Sequence, residues 1–357
     1  MKKPTIHDVA HAAGVSPATV SRVINGDPSV GPSYREKVEA AVALLSFRPQ
    51  LSARAIRGGH TGLLGMLLPR LDLDTFTGMA DGAMREAAAL GCGIVLMNSE
   101  GSSSVEQERL LQLSRMPIDG LIFRPVSRYT SFEQAQSLTG IPVVGLSVPS
   151  GPASVPGIPV AAEHSAYIAA KYLLRIGRRR IAITVSFREM AISSVEELER
   201  MTPESCAPIG VQRYKGYRRA LEEAQIPFDP SLILFHGYTK EGGHAAAAQL
   251  LSMDIPADAL ICANDEAALG ALTFLREQGV TVPQQISLIG FDDSAICRAT
   301  SPTLTSVNFH SVDVGRQAVR ILRALIAGQQ PDPNDFVCRA SLVIRGSTCA
   351  PVRPKGR

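Results

Sequence analysis

The chain has 357 residues, of which 45% are hydrophobic and 19% charged. This length allows two or three domains with substantial cores, and the composition excludes a disordered or collagen-like protein. No apolar stretch approaches the roughly 20 residues of a membrane span, and no apolar segment of a secretory signal follows the basic N-terminus. Six cysteines without a Cys-x-x-Cys pair indicate free thiols. We therefore expect a globular cytoplasmic protein with no membrane partner.

The net charge of +3 is unevenly distributed along the chain. Residues 1–60 contain eight Lys or Arg and four Asp or Glu, whereas the rest of the chain contains 28 and 29. A small basic segment on a nearly neutral body indicates that this segment meets a polyanion such as nucleic acid. The alternative interpretation is a solvated N-terminal arm.

Two helices separated by a short turn are predicted inside the basic segment. Thr5 and Asp8 have the spacing of a capping box, apolar residues then recur at helical spacing, and Gly14 predicts the helix end. Ser16 followed by Pro17 predicts the start of a second helix. This layout is typical of a helix-turn-helix, whose second helix presents short and bidentate side chains to a DNA major groove. Those side chains are Pro17, Ala18, Ser21 and Arg22.

The stretches TIHDVAHAAGVSPATVSRVING (5–26) and REKVEAAVALLSFRP (35–49) extend this pattern, and they resemble the DNA-binding head of the lac repressor (LacI/GalR) family. The resemblance implies a recognition helix over residues 16–25. It also implies a hinge helix within QLSARAIRGG (50–59), whose Ile56 enters the minor groove and kinks the operator. The implied DNA-binding residues are Thr5, Ser16, Pro17, Ala18, Thr19, Ser21, Arg22, Asn25, Arg54 and Ile56.

The head departs from the family pattern at three places. Gln50 stands where asparagine is usual, Gly31 where a serine cap is usual, and Ser46-Phe47 replace Gly-Tyr. Because glycine can still cap a helix and Phe47 keeps the ring, we expect weaker local stability and retained function.

Short apolar runs alternate with helix-periodic segments in the rest of the chain, which predicts βαβ units and parallel sheets. The length favours two lobes, with the Pro- and Gly-rich segment 148–160 as a candidate crossover between them. The predicted strands are LLGMLL (63–68), GIVLM (93–97), GLIF (120–123), IPVVGL (141–146), IAITV (181–185), ALICA (259–263) and ISLIGF (286–291). The predicted helices are 75–90, 163–176, 211–224, 240–252 and 264–278.

The body also resembles the same family, through IGRRRIA (176–182), RYKGYRRALEEA (213–224) and residues 262–294 and 301–322. The implied fold class is an N-terminal all-α helix-turn-helix head plus an α/β core of two doubly wound lobes, built like a periplasmic sugar-binding protein. We expect a DNA-binding domain over 1–49, a hinge over 50–60, an effector-binding and dimerisation core over 61–346 and a tail over 347–357.

The resemblance places five side chains in an effector cleft: Phe76, Arg213, Tyr238, Asn264 and Asp292. Arg213, at a strand-to-helix turn, would offer its guanidinium fork to hydroxyls or a carboxylate. Asn264 and Asp292 would end two strands and bond ligand hydroxyls, while the two rings pack on the ligand. Each has a structural alternative: a surface ion pair for the arginine, core packing or solvent for the rings, and helix caps for the last two.

The cleft also departs from the family. Ala161-Ala162 replace the usual Asp-Asn before a helix, and the chain contains no tryptophan. Asp72 and Asp74 add negative charge at the mouth, which disfavours a strongly anionic ligand unless Arg213 offsets them.

No motif in the chain indicates an enzyme, a cofactor or a metal. No GxGxxG follows a strand, no Walker sequence is present, and Gly145 to Pro149 fail the nucleophile-elbow pattern at the last position. His7 and His11 share a helix face but lack the adjacent glutamate of a zinc protease. We expect a homodimeric, ligand-responsive transcriptional repressor that binds operator DNA and a small sugar or sugar derivative. The alternatives are a constitutive DNA-binding regulator with a non-functional pocket and a sugar-processing enzyme.

Overall fold

The computed structural model describes residues 4–24, 27–47, 60–126, 132–148, 155–159, 161–186, 192–201, 208–331 and 340–351. Residues 1–63 and 117–119 form one compact unit, and residues 64–116 and 120–357 form the other. Across the described part of the chain, no helix combines the length and apolar character that crossing a bilayer requires. The predicted boundaries at residues 49, 60 and 346 remain predictions.

The head is a three-helix bundle around a small apolar core. Its helices are α1 (Ile6–Ala13), α2 (Pro17–Ile24) and α3 (Pro32–Leu44). Each contributes one buried stripe, as expected for short amphipathic helices that cannot fold alone. The buried side chains are Val9, Ala10, Ala13, Val20, Val23, Val38 and Ala41.

The predicted helix starts and stop in the head are confirmed. The backbone N–H of Thr5 donates to Asp8 Oδ2 at 2.7 Å while the Asp8 N–H donates to Thr5 Oγ1 at 3.4 Å, so both halves of the capping box form. Gly14 ends α1 in the left-handed region, with φ of 65°. Ser16 Oγ accepts from the Thr19 N–H at 3.1 Å and so caps α2.

The first lobe is built on a five-stranded sheet of order β2-β1-β3-β4-β5, in which β1–β3, β3–β4 and β4–β5 pair in parallel. Helices cover it, as a parallel sheet with two apolar faces requires. Its elements are β1 (Leu63–Leu68), α4 (Asp74–Ala89), β2 (Gly93–Asn98), α5 (Ser103–Ser114), β3 (Gly120–Phe123), α6 (Phe132–Thr139), β4 (Val143–Val148) and β5 (Gly157–Pro159).

The second lobe is built on a six-stranded sheet of order β11-β10-β9-β8-β6-β7, parallel except for the antiparallel β10–β11 pair. A 3₁₀ turn (Pro230–Leu232) leads into β7. The elements are α7 (Ala162–Arg175), β6 (Ile181–Val185), α8 (Val195–Met201), α9 (Ile209–Glu223), β7 (Ile233–Phe235), α10 (Lys240–Leu251), β8 (Ala259–Ile261), α11 (Asp265–Glu277), β9 (Ser287–Phe291), α12 (Ile296–Ala299), β10 (Thr305–Asn308) and β11 (Ser341–Val343).

One helix returns from the second lobe to the first. Helix α13 (Ser311–Ile326) follows β10 in the chain, yet it packs on α4, β3, β4 and β5 of the first lobe. The approach to α4 is close enough that glycine is required: a Cβ on Gly82 would lie 1.9 Å from the Val312 carbonyl oxygen, and one on Gly315 1.9 Å from that of Met79. The chain therefore passes between the lobes three times, before α7, before α13 and after α13.

The predicted fold class is confirmed, and all seven predicted strands and five predicted helices are present with bounds shifted by a few residues at most. The candidate crossover segment 148–160 is corrected in part. Its residues 157–159 form β5 of the first sheet, so the passage to the second lobe follows that strand.

Candidate functional site

The outer face of α2 is open to a partner. Ala18 and Arg22 are exposed, whereas Val20 and Val23 on the opposite face are buried in the head core. Within the described residues, no hydrogen bond or ion pair holds the Arg22 guanidinium. An exposed five-donor fork on a rigid, capped helix is what reading a guanine edge in the major groove requires.

Two predicted DNA-binding hydroxyls also stabilise the head itself. Ser16 Oγ lies 2.9 Å from Thr19 Oγ1 in addition to capping α2, and Thr5 Oγ1 donates to Asp8 Oδ2 at 2.7 Å. Both hydroxyls are exposed, so these bonds leave them accessible to a phosphate. Pro17, Thr19 and Ser21 are half-buried. The predicted sites Asn25, Arg54 and Ile56 lie outside the described residues.

The turn between α2 and α3 is fixed by one aspartate. Asp27 Oδ1 accepts from the Ser29 N–H at 2.9 Å and from the Ser29 hydroxyl at 2.7 Å, and these bonds hold the pKa of Asp27 below its ordinary value. Arg35 Nη2 donates to the Asp27 carbonyl at 3.1 Å, which links α3 to the end of the turn. The start of α3 is therefore tied to Asp27, although Gly31 offers α3 no side-chain cap.

Four of the five predicted cleft side chains lie at the carboxyl edge of the second sheet. Tyr238 follows β7, Asn264 follows β8 and Asp292 follows β9 directly. Because the carboxyl ends of parallel strands meet at one edge, they converge, as ligand-binding residues of open α/β sheets do. Arg213 was predicted at a strand-to-helix turn. That prediction is wrong, since it is the fifth residue of α9 and reaches the same edge from the helix.

Arg213 is a buried cation at this sheet edge and is only 6% exposed. Its Nη1 donates to the Ala263 carbonyl at 2.5 Å, and its Cζ lies 3.9 Å from the centroid of Phe291 and 5.6 Å from that of Phe309. Burial lowers the pKa of the guanidinium, while the nearby acidic groups, Asp292 among them, act in the opposite direction. One of its five N–H groups is used in the bond to Ala263, and its Nε is buried with no partner among the described residues.

Asp292 is the central acceptor, and its backbone is held in the left-handed region with φ of 100°. Its N–H donates to the Val307 carbonyl at 2.8 Å, and its Oδ1 accepts from the Thr75 hydroxyl of the first lobe at 2.5 Å. Burial raises the pKa of the carboxyl, and the Thr75 bond and the Arg213 charge oppose that rise. Since α12 begins only at Ile296, the alternative role of helix cap is not what the structure has.

The other three predicted residues differ in how far the fold already uses them. Asn264 is buried, and its Oδ1 caps α11 by accepting from the Ala267 N–H at 2.8 Å, which is the structural alternative that we considered. The hydroxyl of Tyr238 donates to the Ser186 carbonyl at 3.3 Å, and the half-buried ring bridges the ends of β6 and β7. Phe76, the third residue of α4, is half-buried against the first-lobe core.

Sequence reasoning missed three groups around the cleft. Phe291 and Phe309 stack on each other with their ring centroids 5.9 Å apart, and the Arg213 guanidinium lies over the Phe291 ring. Their positions at the ends of β9 and β10 were the available signal. Asp265 lies beneath them, accepting from Ser306 Oγ at 2.6 Å and from the Ser294 N–H at 2.8 Å. Burial raises the pKa of Asp265 to about 6.

Thr75 was also missed. It comes from the first lobe, and its partner Asp292 lies 217 residues away, so no local pattern indicated the contact. Ala161, where the family has a polar residue, is the N-cap of α7 and provides no side-chain hydrogen bond. Among the described residues, no group of three His, Cys, Asp or Glu side chains is arranged to hold a metal.

Comparison with known proteins assigns both parts of the chain. Residues 5–50 match the model of bacterial regulatory proteins of the lacI family, and residues 170–348 match that of the periplasmic binding protein-like domain. The chain is 31% identical over 320 residues to catabolite control protein A of Priestia megaterium, covering 89% of this chain and 91% of that protein. The HTH-type transcriptional repressor PurR of Haemophilus influenzae (strain PittEE) is 32% identical over 323 residues, covering 89% of this chain and 90% of that protein.

Two solved structures share the architecture. The complex of the transcriptional regulator CelR with cellobiose is 28% identical, with a TM-score of 0.69, covering 96% of this chain and 99% of that one. The lac repressor dimer bound to operator and the anti-inducer ONPF is 25% identical, with a TM-score of 0.79, covering 98% and 100%. The head, the two-lobed core and these similarities together lead to one assignment: this chain belongs to the lacI family of bacterial regulatory proteins.

Proposed function

We propose that the chain is a homodimeric, sequence-specific transcriptional repressor whose operator affinity is controlled by a small sugar or sugar derivative. The observation that carries this proposal is the union, in one chain, of a capped helix-turn-helix with a free Arg22 and a two-lobed core with Arg213 and Asp292 at one sheet edge. The first part is suited to DNA and the second to a polar small molecule. The similar proteins are regulators that combine the same two parts.

For DNA binding, the proposal places two heads in successive major grooves of a near-palindromic operator. Arg22 reads base edges, Ser16 and Thr5 contact phosphates, and the remaining proposed contacts are Pro17, Ala18, Thr19, Ser21 and Asn25. Arg54 and Ile56 are proposed to enter the minor groove at the centre of the site. The operator-bound lac repressor dimer supports this mode.

For effector binding, Arg213 supplies the hydrogen-bond donor and Asp292 the acceptor, on a wall that is otherwise largely apolar. The Arg213 guanidinium keeps Nη N–H groups beyond the one bonded to Ala263, and these donate to a ligand oxygen. Asp292 accepts from a hydroxyl, and the rings of Phe76 and Tyr238 cover the faces of a pyranose. Asn264 contributes only its amide N–H groups, because its oxygen is committed to α11. The CelR–cellobiose complex supports a sugar as the ligand class.

Charge restricts the class of effector further. Asp292 lies near Asp74 and Asp265, whose charges raise the pKa of neighbouring acids, and Arg213 is the cation near them in the described structure. Asp74 forms no ion pair among the described residues. An anionic ligand would add a further negative charge at a site of low dielectric, so we propose an uncharged polyol.

The test begins with selection of an operator from random duplexes, followed by binding measurements with and without a panel of neutral sugars, sugar acids and sugar phosphates. The proposal expects a neutral sugar to change operator affinity, and expects the variants Arg213→Ala and Asp292→Ala to bind the operator but lose that response. A regulator with a non-functional pocket, favoured by the missing polar group at Ala161, would bind the operator and respond to no member. Turnover of a bound sugar would instead show an enzyme.

A further inference from the structure

The contact between Thr75 and Asp292 joins the two lobes through side chains. Thr75 is the second residue of α4 on the first lobe, and Asp292 follows β9 on the second. The hydroxyl donates to Oδ1 at 2.5 Å, and both residues are half-buried. A hydroxyl bonded to a carboxylate is a charge-assisted hydrogen bond, stronger than a neutral one.

Two threonines in the first turns of α4 use their hydroxyls differently, one within the helix and one across the lobes. Thr77, two residues further on, places its hydroxyl 3.1 Å from the Asp74 carbonyl and 3.4 Å from the Leu73 carbonyl, which is the usual local bond of a threonine in a helix. The Thr75 hydroxyl instead reaches across the cleft to Asp292. The Asp292 backbone is fixed by its own bond to the Val307 carbonyl, while its carboxylate can still turn about the side-chain bonds, so the Thr75 hydroxyl is what orients it.

We propose that Thr75 is a positioning residue of the effector cleft. Its hydroxyl donates to Oδ1 of Asp292 and orients the carboxylate so that Oδ2 faces the effector. The same bond connects the first lobe to the second. The inference rests on the proposed assignment of Asp292 to the effector site. It adds a residue that determines how the effector is received, because one lone pair of Oδ1 is taken by Thr75 while Oδ2 keeps both of its own for a ligand hydroxyl.

The test is hydrogen–deuterium exchange on the full chain without added effector or DNA, comparing four proteins. Thr75→Val removes the hydroxyl at almost constant shape, Thr75→Ser restores it, and Thr77→Val is the matched control that loses only the local bond. Thr75→Ala serves as a second hydroxyl-free variant if the valine variant does not fold. In Thr75→Val we expect exchange to be about tenfold faster both at residues 73–78 and at 292–296, because a charge-assisted bond between the lobes is lost. The serine and Thr77→Val variants should match the parent protein at 292–296.

Two results would overturn the inference. One is unchanged exchange at 292–296 in both hydroxyl-free variants, and the other is acceleration confined to 73–78, which is what fraying of α4 alone produces. The measurement involves neither sugar nor operator. Failure of the proposed function, an operator that responds to no sugar, is therefore distinguishable from failure of this inference.

Discussion

Asp265 is a carboxyl group whose burial makes folding depend on pH. Its pKa is about 6 in the folded chain against an ordinary value of 3.8. Below pH 4 it is protonated in both the folded and unfolded states, whereas above pH 6 the folded state must bury its charge. Its contribution to stability is therefore present at low pH and lost as the pH rises from about 4 to 6, by about 3 kcal/mol.

We expect the variant Asp265→Asn to remove this dependence. The difference in unfolding free energy between parent and variant, measured by urea titration at intervals from pH 4 to 7, should change by about 3 kcal/mol across that window, with the parent relatively more stable at the acid end. Ser252→Ala, an exposed change at a side chain that does not titrate, is the control and should give a constant difference. A constant difference for Asp265→Asn as well would contradict the assignment.

Arg22 offers a separate residue-scale prediction. Because its guanidinium is exposed and held by no described partner, Arg22→Ala should leave the melting temperature unchanged while weakening operator binding about 10- to 100-fold and relaxing sequence choice at one base pair. Arg22→Lys keeps the charge but loses the fork, so it should recover affinity for DNA generally and not the base preference. Competition binding with single-base operator variants measures both. Equal preference in all three proteins would place base reading elsewhere.

At the residue scale, the sequence predicted the position of a cleft side chain correctly where that side chain follows a strand. Asp292 and Tyr238 lie after β9 and β7, where the family resemblance put them. Arg213 was predicted at a strand-to-helix turn although the predicted helix 211–224 already contained it, and α9 begins at Ile209, four residues before it. Thr75 was out of reach because its partner is set by the approach of two lobes.

At the scale of elements, the packing of α4 on α13 depends on backbone contact. A methyl group on Gly82 would meet the Val312 carbonyl oxygen at 1.9 Å, and the helices would have to separate. Alanine improves helix propensity by about 1 kcal/mol, but overpacking against a backbone costs about 3 kcal/mol, so the clash decides. We expect Gly82→Ala to be clearly less stable than the parent in urea denaturation. Gly237→Ala, in the loop before α10 where a Cβ meets nothing within 4 Å, is the control for a glycine replaced without a clash. Equal stability of the two variants would show that α13 moves away from α4 without lowering the free energy of unfolding.

Strands with long apolar runs were predictable, and short edge strands were not. LLGMLL is β1 residue for residue, because six apolar residues bounded by glycine and proline fit a strand buried on both faces. Gly157–Pro159 carries β5 in a segment whose glycine and prolines indicate a loop, and only the neighbouring β4 makes it a strand. Ser341–Val343 forms β11 for the same reason, by pairing with β10.

For the whole molecule, effector and operator binding are coupled through one chain, and coupling of this kind is reciprocal. If saturating effector weakens operator binding by a given factor, saturating operator must weaken effector binding by the same factor, with about 5- to 150-fold as the usual range. Calorimetric titration of the effector selected by the panel, with and without operator, supplies the second factor for comparison with the first. In Arg22→Ala the effector affinity should equal that of the parent, and the same operator concentration should no longer change it. Unequal factors in the parent would mean that effector or operator occupies a second site, since two ligands on one coupled pair of sites cannot exchange different amounts of free energy. Loss of effector binding in Arg22→Ala would mean that the head takes part in forming the cleft. The assignment of DNA binding to Arg22 and of effector binding to Asp292 would then be wrong.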